Sequence, residues 1–485
     1  MSNESSGAHL GFTLGIVTVA ALGGFLFGFD TAVINGAVPV LNDMFMNPDT
    51  GFAGGLEISE TSRNLWVGQS VALALIGAAL GAFAAGPITN HIGRKKAMVI
   101  AAVMFFASAV GSGLPLTIFD FTFWRFLGGM AFGAASVIAP AYIAEVSPAR
   151  YRGRLASMQQ LAIVVGIFVA LMSNLLIAKN AGGAAEPWLG GFAAWKWMFW
   201  IEAFPAALYG FLATQIPESP RYLVTQDRDG DAARVLTKVL GAGAADSKIK
   251  EIHDSLSSEH KPRLADILGP ALFKKIVWLG IGLSVFQQFV GINVVFYYSN
   301  LLWQAVGLTE EDAFINTAIG GGTNVLTTFI AIALVDKIGR KPLLIFGSLG
   351  MMISLGVMAF VFQTSVDPNG VLDLTGANAG KGKIALVALN LFIVSFGASW
   401  GPIVWVMLGE MFSNQIRGAG LAVAASAQWG ANYLISATFP LMLGISLGFA
   451  YGFYAVSALL SMLFVIFLIP ETKGRELETM GELEN

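Results

Sequence analysis

Long apolar runs separated by short polar ones leave this chain few ways to fold. They lie at approximately residues 10–40, 65–89, 97–116, 119–144, 155–178, 195–216, 275–305, 314–335, 342–363, 384–409, 417–440 and 446–469. Each is near or above the roughly 20 residues that an α-helix needs to cross a bilayer. The pattern predicts an all-α membrane protein with twelve transmembrane helices. Charge usage agrees: only 12% of the residues are charged and 55% are hydrophobic, whereas a soluble domain carries about twice that charged fraction.

The basic residues set the orientation. With both termini in the cytoplasm, the short cytoplasmic loops hold Arg94, Lys95 and Lys96, then Arg150, Arg152 and Arg154, then Lys337, Arg340 and Lys341. The segment between helices six and seven adds ten more, from Arg221 to Lys275, while the opposite side holds Arg63, Lys179, Lys196, Lys381 and Lys383. The N-terminus shows no basic region and no small-residue cleavage site, so the first helix is expected to stay as an anchor. Cysteine is absent, which excludes disulfides, thiol catalysis and cysteine metal sites. The net charge of −3 is too small to suggest a nucleic-acid partner.

Short motifs recur in the same order. "IGRKK" at 92–96 returns as "IGRKP" at 338–342, and "AEVSPARYRG" at 144–153 returns as "GEMFSNQIRG" at 409–418. In the second motif six residues separate the glutamate from the arginine both times (Glu145 and Arg152, Glu410 and Arg417). "PESPR" at 217–221 has a weaker echo in "PETKG" at 470–474. The offsets are about half the chain, so a six-helix unit reads as duplicated, a common transporter construction. The divisions are 1–216 for one bundle, 217–274 for a cytoplasmic linker, 275–470 for the second bundle and 471–485 for a short tail. Within the linker, "DAARVLTKVL" and "DSKIKEIHDSL" have helical periodicity. Segments 41–64 and 364–383 read as external loops. The repeated cytoplasmic motifs suggest a gate in which ion pairs joining Arg94, Glu145, Arg152, Arg340, Glu410 and Arg417 hold one state and break in the other.

Few ionisable residues fall inside the spans. Asp30, in "GFLFGFDTAVINGAV" at 24–38, is alone between Leu10 and Val40; Arg125 lies in helix four and Glu202 in helix six. A charge at mid-bilayer costs roughly 3 kcal/mol on insertion scales. A permanently paired site would be served as well by apolar packing. A carboxylate that loses and regains a guanidinium partner, by contrast, can release and take up a proton. Asp30 with Arg125 therefore reads as a proton-coupling pair.

A neutral ligand is the better fit to the rest. "SVFQQFVGINVVFYYSN" at 284–300 sets Gln287, Gln288 and Asn293 among apolar residues, with Tyr297 following. Gln287 and Gln288 point about 100° apart on a helix, so only one aims straight at a central cavity. Gln160, Asn324, Trp405, Gln428, Trp429 and Asn432 recur inside other spans. Amides donate and accept hydrogen bonds and indoles offer flat apolar faces, the mixture a sugar requires. Single amides serve equally well as glue between transmembrane helices; several, with two Trp in one half, favour a site. No nucleophile–base set or metal cluster lies near the bilayer, so an enzyme, a cofactor or a metal is not expected.

The motifs together resemble the sugar porters of the major facilitator superfamily, and within them the bacterial sugar–proton symporters of the xylose type. The resemblance runs over nearly the whole chain and is carried by "GFDTAVING", "NHIGRKK", "RFLGGMAFG", "IAEVSPARYRGRL", "PESPRYL", "QQFVGINVVFYYS", "DKIGRKP", "WGPIVWVMLGEMF", "IRG" and "PETKG". It implies two six-helix bundles with a sugar between them. It implies sugar contacts from Gln160, Gln287, Gln288, Asn293, Asn324, Trp405, Gln428 and Trp429, with Phe27 and Tyr297 as wall residues. It also implies proton coupling by Asp30 and Arg125, assisted by Glu202. Ile167 stands where the xylose symporter pattern has a second glutamine of helix five, which favours a hexose; facilitative glucose carriers have Asn in place of Asp30, which favours symport. Asn90 replaces the family's usual Asp in the first-half loop motif. The expectation is a monomeric importer of a neutral monosaccharide with a proton, in a bacterial cytoplasmic membrane, working by alternating access. A proton-independent facilitator and a membrane sugar receptor are its competitors.

Overall fold

The structure, a computed structural model, describes residues 2–148, 152–258, 267–270, 272–305, 307–365, 379–412 and 416–473. Eight helices precede the polar middle segment: α1 (Ser2–Val33), α2 (Val38–Met46), α3 (Glu60–Ile92), α4 (Arg94–Ser112), α5 (Ile118–Val146), α6 (Arg152–Ala181), α7 (Ala194–Trp200) and α8 (Ala203–Gln215). The segment itself holds α9 (Pro220–Thr225), α10 (Asp229–Leu240) and α11 (Ala242–Ser258), then a two-residue antiparallel pair, β1 (Leu268–Gly269) with β2 (Leu272–Phe273). Eight more follow: α12 (Lys275–Phe289), α13 (Ile292–Ala305), α14 (Glu310–Ile338), α15 (Arg340–Gln363), α16 (Ala379–Gly397), α17 (Trp400–Met411), α18 (Arg417–Ile445) and α19 (Leu447–Leu468).

Among the described residues, ten spans are long and apolar enough to cross a membrane. The two others expected from the sequence are helical as well. Residues 195–216 form α7 and α8, parted at Ile201 and Glu202, and residues 417–440 lie within α18. Two further crossings are broken, between α12 and α13 at Gly291, whose φ of +83° few side chains tolerate, and between α16 and α17 at Ser399. Two sequence expectations need correcting. Segment 41–64 is not loop throughout, because α2 carries helix through Met46, with Pro39 in its first turn where no amide donor is needed, and α3 begins at Glu60. Of segment 364–383, α16 takes the residues from Ala379 on, while 366–378 lie outside the described residues.

Helix starts divide into two kinds. At one end of the bundle α3, α5, α14 and α19 begin on Ser59, Thr117, Thr309 and Ser446, each accepting a backbone N–H of its own first turn. At the other end α4 and α15 begin directly after Gly93 and Gly339, with no side-chain cap from their neighbours. Packing between helices is close where glycine allows it. A Cβ on Gly28 of α1 would sit 1.9 Å from the Ile163 carbonyl oxygen of α6, and one on Gly129 of α5 would sit 1.9 Å from that of Ala74 in α3.

Candidate functional site

Charged side chains are rarely buried here. Among the described residues the buried ones are Asp30, Arg125, Glu202 and Arg340. The first three come together. Arg125 of α5 donates from Nη1 to Asp30 Oδ1 at 2.6 Å and from Nη2 to the Asp30 carbonyl oxygen at 2.9 Å, and its guanidinium lies 5.7 Å from the centre of the Phe199 ring. Glu202, at the break between α7 and α8, neighbours this pair. No donor from elsewhere in the described chain reaches Asp30 Oδ2 or the Glu202 oxygens, and the two carboxyls lie within hydrogen-bond reach of one another. Two carboxyl groups thus face one guanidinium, and the cluster is electroneutral only with one proton aboard. Water exclusion makes that balance matter, since an unpaired charge is expensive in a dry interior.

The amides of the second half form a chain. Asn293 donates to Gln288 Oε1, Gln288 donates to Gln287 Oε1 at 3.2 Å, and Gln287 Nε2 donates to the carbonyl oxygens of Trp400 and Gly401 at 2.9 and 3.1 Å. Gln287 is therefore held against the start of α17, and Gln288 and Asn293 continue from it. Trp400 is itself fixed, donating from its indole to Ser348 Oγ at 2.8 Å and the Leu344 carbonyl at 3.1 Å. Gln428 of α18 is buried with its Oε1 unpartnered, and Asn324 and Trp429 are also buried. Gln160 is half-buried, whereas Trp405 is 39% exposed. Trp429 packs across the halves against Phe27 and Phe132, with ring centres 5.6 and 5.7 Å away. Tyr297 is buried, its hydroxyl accepting from Asn432 at 3.5 Å. Phe132 and Trp400 are the aromatic members the sequence did not single out; both lay within quoted motifs, but nothing in their spacing marks them as facing this region.

The Arg and Glu motifs gather at the end where α4 and α15 begin, once in each half. Arg94 Nη2 meets Glu145 at 2.8 Å, and Arg340 meets Glu410 through Nη2 at 2.7 Å and Nε at 3.1 Å. Ser219 donates to Glu145 and Thr472 Oγ1 to Glu410. Glu218 accepts the N–H groups of Arg94 and Lys95, and Glu471 those of Arg340 and Lys341, supplying from afar the caps that Gly93 and Gly339 cannot. The faint echo between "PESPR" and "PETKG" is thus one structural part used twice, a role the sequence reading left unassigned. Each ion pair lies within one half, and the side chains of Arg152 and Arg417 lie outside the described residues.

Contacts that join the halves cluster at the opposite end. Asn35 Nδ2, beyond α1, donates to the Phe296 carbonyl at 2.9 Å and Ser299 Oγ at 3.0 Å in α13. Tyr433 donates to Gln69 at 2.9 Å, Ala184 N–H to Glu310 at 2.8 Å, and Lys179 meets Glu311 at 2.9 Å. Among the described residues, then, the polar contacts between the two bundles gather at one end.

Known proteins share this construction. A family described as "Sugar (and other) transporter" matches residues 16–483. The glucose transport protein of Synechocystis sp. is 57% identical, with 99% of each chain covered. The D-xylose-proton symporter of Escherichia coli is 38% identical over 97% of this chain and 96% of its own length. Among solved structures, the inward-open conformation of the xylose transporter from that organism superposes with a TM-score of 0.81 at 38% identity, covering 98% of this chain and 100% of the other. The proton:xylose symporter bound to 6-bromo-6-deoxy-D-glucose superposes with a TM-score of 0.79 at 37% identity.

Proposed function

Because the chain belongs to the sugar transporter family of the major facilitator superfamily, we propose that it imports a neutral hexose of the glucose type together with a proton, by alternating access. The observation that carries this reading is the buried cluster of Asp30, Arg125 and Glu202, the first two on α1 and α5, helices that also meet the second half through Phe27 and Phe132 against Trp429. In the cycle, Asp30 takes up a proton while the centre faces outside and lets go of Arg125. Sugar then binds among Gln160, Gln287, Gln288, Asn293, Asn324, Trp405, Gln428 and Trp429, with Phe27 and Tyr297 walling the site. The bundles, 1–216 and 275–470, rock about it while the 217–274 linker spans them. Of the short tail 471–485, Glu471 and Thr472 are held to the second bundle, and residues 474–485 lie outside the described residues. The proton leaves to the cytoplasm, where both termini lie. Glu202 serves as a second carboxyl able to share the proton with Asp30.

With the Arg and Glu motifs on the cytoplasmic side, as their basic charge demands, the joined end is external. Closure there, with the likeness to an inward-open relative, supports an inward-facing resting form. The Arg94–Glu145 and Arg340–Glu410 clusters act as latches inside each half, Arg152 and Arg417 extending them across when the cytoplasmic end closes. A single chain in a bacterial cytoplasmic membrane suffices for this cycle, because each site is complete within one chain. The glucose transport function of a 57% identical relative and Ile167 at the departure from the xylose pattern favour the hexose.

Adding glucose to a lightly buffered suspension of de-energised cells that express the chain tests the reading. Alkalinisation of the medium on addition is the expected result. Uptake without any pH change would make the chain a facilitator.

A further inference from the structure

A second feature lies away from the sugar and proton sites. At the end where α4 begins, a hollow of about 530 Å³ opens between that helix start and α9 and α10. Five basic side chains line it: Lys95 and Lys96 from α4, Arg228 just before α10, and Arg234 and Lys238 from α10. Two acids line it as well, Glu218 and Asp231, and both are already engaged. Glu218 accepts backbone N–H groups of Arg94, Lys95 and Ser219, and Asp231 pairs with Arg228 and Arg234 at 2.5 and 2.7 Å. Lys95 and Lys96 have no ion-pair partner among the described residues. One wall is Tyr222, fixed by a 3.1 Å hydrogen bond to the His91 carbonyl.

Orientation alone does not explain this. Basic residues hold a membrane protein's topology wherever on the cytoplasmic face they sit. Topology does not require five of them, from two separate stretches of chain, to converge on one cavity with three positive charges in excess. Such a concave excess draws anions, and lysine and arginine donors suit the oxygens of a phosphate group best. We propose that this hollow binds the phosphate group of an ester and that its occupant regulates transport. The link to transport is a short run of contacts. The Glu218 carboxylate that lines the hollow holds the Lys95 N–H, and the next residue, Ser219, holds Glu145, the partner of Arg94. A group that draws Lys95 and Lys96 toward α10 therefore acts on the latch of the first half. Binding is independent of the sugar-transport reading; only the effect on uptake rests on it.

Two sources of phosphate ester are separable by experiment. The purified full chain in phosphatidylcholine nanodiscs is titrated with inorganic phosphate and with glucose 6-phosphate, against chloride at equal ionic strength, and its melting temperature and heat of binding are followed. In parallel, nanodiscs containing phosphatidylglycerol replace the neutral ones. A saturable shift with the soluble phosphates assigns the site to a metabolite, and a shift with the anionic lipid alone assigns it to a headgroup. In either case the double substitution Lys96→Gln with Arg234→Gln is expected to weaken the effect at least tenfold, and Lys250→Gln on α11 to leave it unchanged. An effect that chloride reproduces, or that survives the double substitution, overturns the site. Specific binding that leaves sugar uptake unaltered in proteoliposomes overturns the regulatory half alone.

Discussion

Replacing Asp30 by asparagine probes the proposed coupling most directly. The amide keeps an oxygen where Arg125 Nη1 now finds Oδ1 at 2.6 Å, and the Asp30 carbonyl oxygen at 2.9 Å is untouched. The guanidinium therefore keeps two acceptors, with Glu202 at hand to balance its charge. The stability loss should fall well short of the roughly 3–5 kcal/mol expected when a buried ion pair loses one partner outright. What disappears is the exchangeable proton. One proton crossing a 100 mV potential supplies about 2.3 kcal/mol, which at about 1.4 kcal/mol per tenfold step sustains roughly fortyfold accumulation of sugar. Asp30→Asn should bring that ratio to one. The assay is labelled glucose uptake into proteoliposomes under an imposed proton gradient, beside counterflow with equal sugar on both sides. Counterflow is expected to persist while accumulation vanishes. Accumulation at the native level would refute the coupling role, and loss of both activities in a protein with a native melting curve would make the pair a structural one.

Three further outcomes follow from the geometry. Gln288→Ala removes the middle of the amide chain and should weaken glucose binding about tenfold, the worth of roughly 1–1.5 kcal/mol for one hydrogen-bonding group; unchanged affinity in calorimetry would move the sugar site elsewhere. Gly28→Ala forces a methyl to within 1.9 Å of the Ile163 carbonyl and should lower stability by more than the usual 1–3 kcal/mol of overpacking. Gly86→Ala, with nothing within 4 Å, should not, and equal melting temperatures for the two would contradict the described α1–α6 contact. Burial alone would raise the carboxyl of Glu471, but the backbone N–H groups of Lys473, Arg340, Lys341 and Thr472 outweigh it and hold the group below its usual range. A depressed folded value means a stabilising contribution present above the unfolded pKa of about 4.3 and lost as pH falls through the folded value. Glu471→Ala should thus cost about 1 kcal/mol at neutral pH, as for a lost cap, with the gap to the native protein closing in acid; a gap that stays constant down to pH 3 would refute the assignment.

Much of this was legible from residue order, for reasons that differ by element. The spans announce themselves because a bilayer imposes length and apolarity on contiguous residues. Asp30 and Arg125, 95 residues apart, were expected to meet because isolated charges in apolar runs have few other partners. The parting of α7 from α8 at Glu202 has a local cause that the span pattern passes over: Pro205 in "FWIEAFP" has no N–H to give the Ile201 carbonyl, so the helix breaks one turn before it. Trp400 was hidden, since the Leu344 carbonyl and the Ser348 hydroxyl that fix it lie over 50 residues away. The helix caps show the contrast well. Ser59 and Thr117 cap their own first turns and can be read locally, whereas Glu218 caps a helix that began 124 residues earlier, and only the fold reveals it.

The linked amides of Asn293, Gln288 and Gln287 have a kinetic implication. Gln287 Nε2 and Oε1, Gln288 Oε1 and one N–H each of Gln288 and Asn293 are already engaged within the chain, so a hydroxyl reaching those atoms trades one bond for another. Net grip is consequently modest, and departure correspondingly quick. For a carrier that must let go on every turnover, a resting state that competes for its own cargo's contacts keeps the release step from becoming the bottleneck.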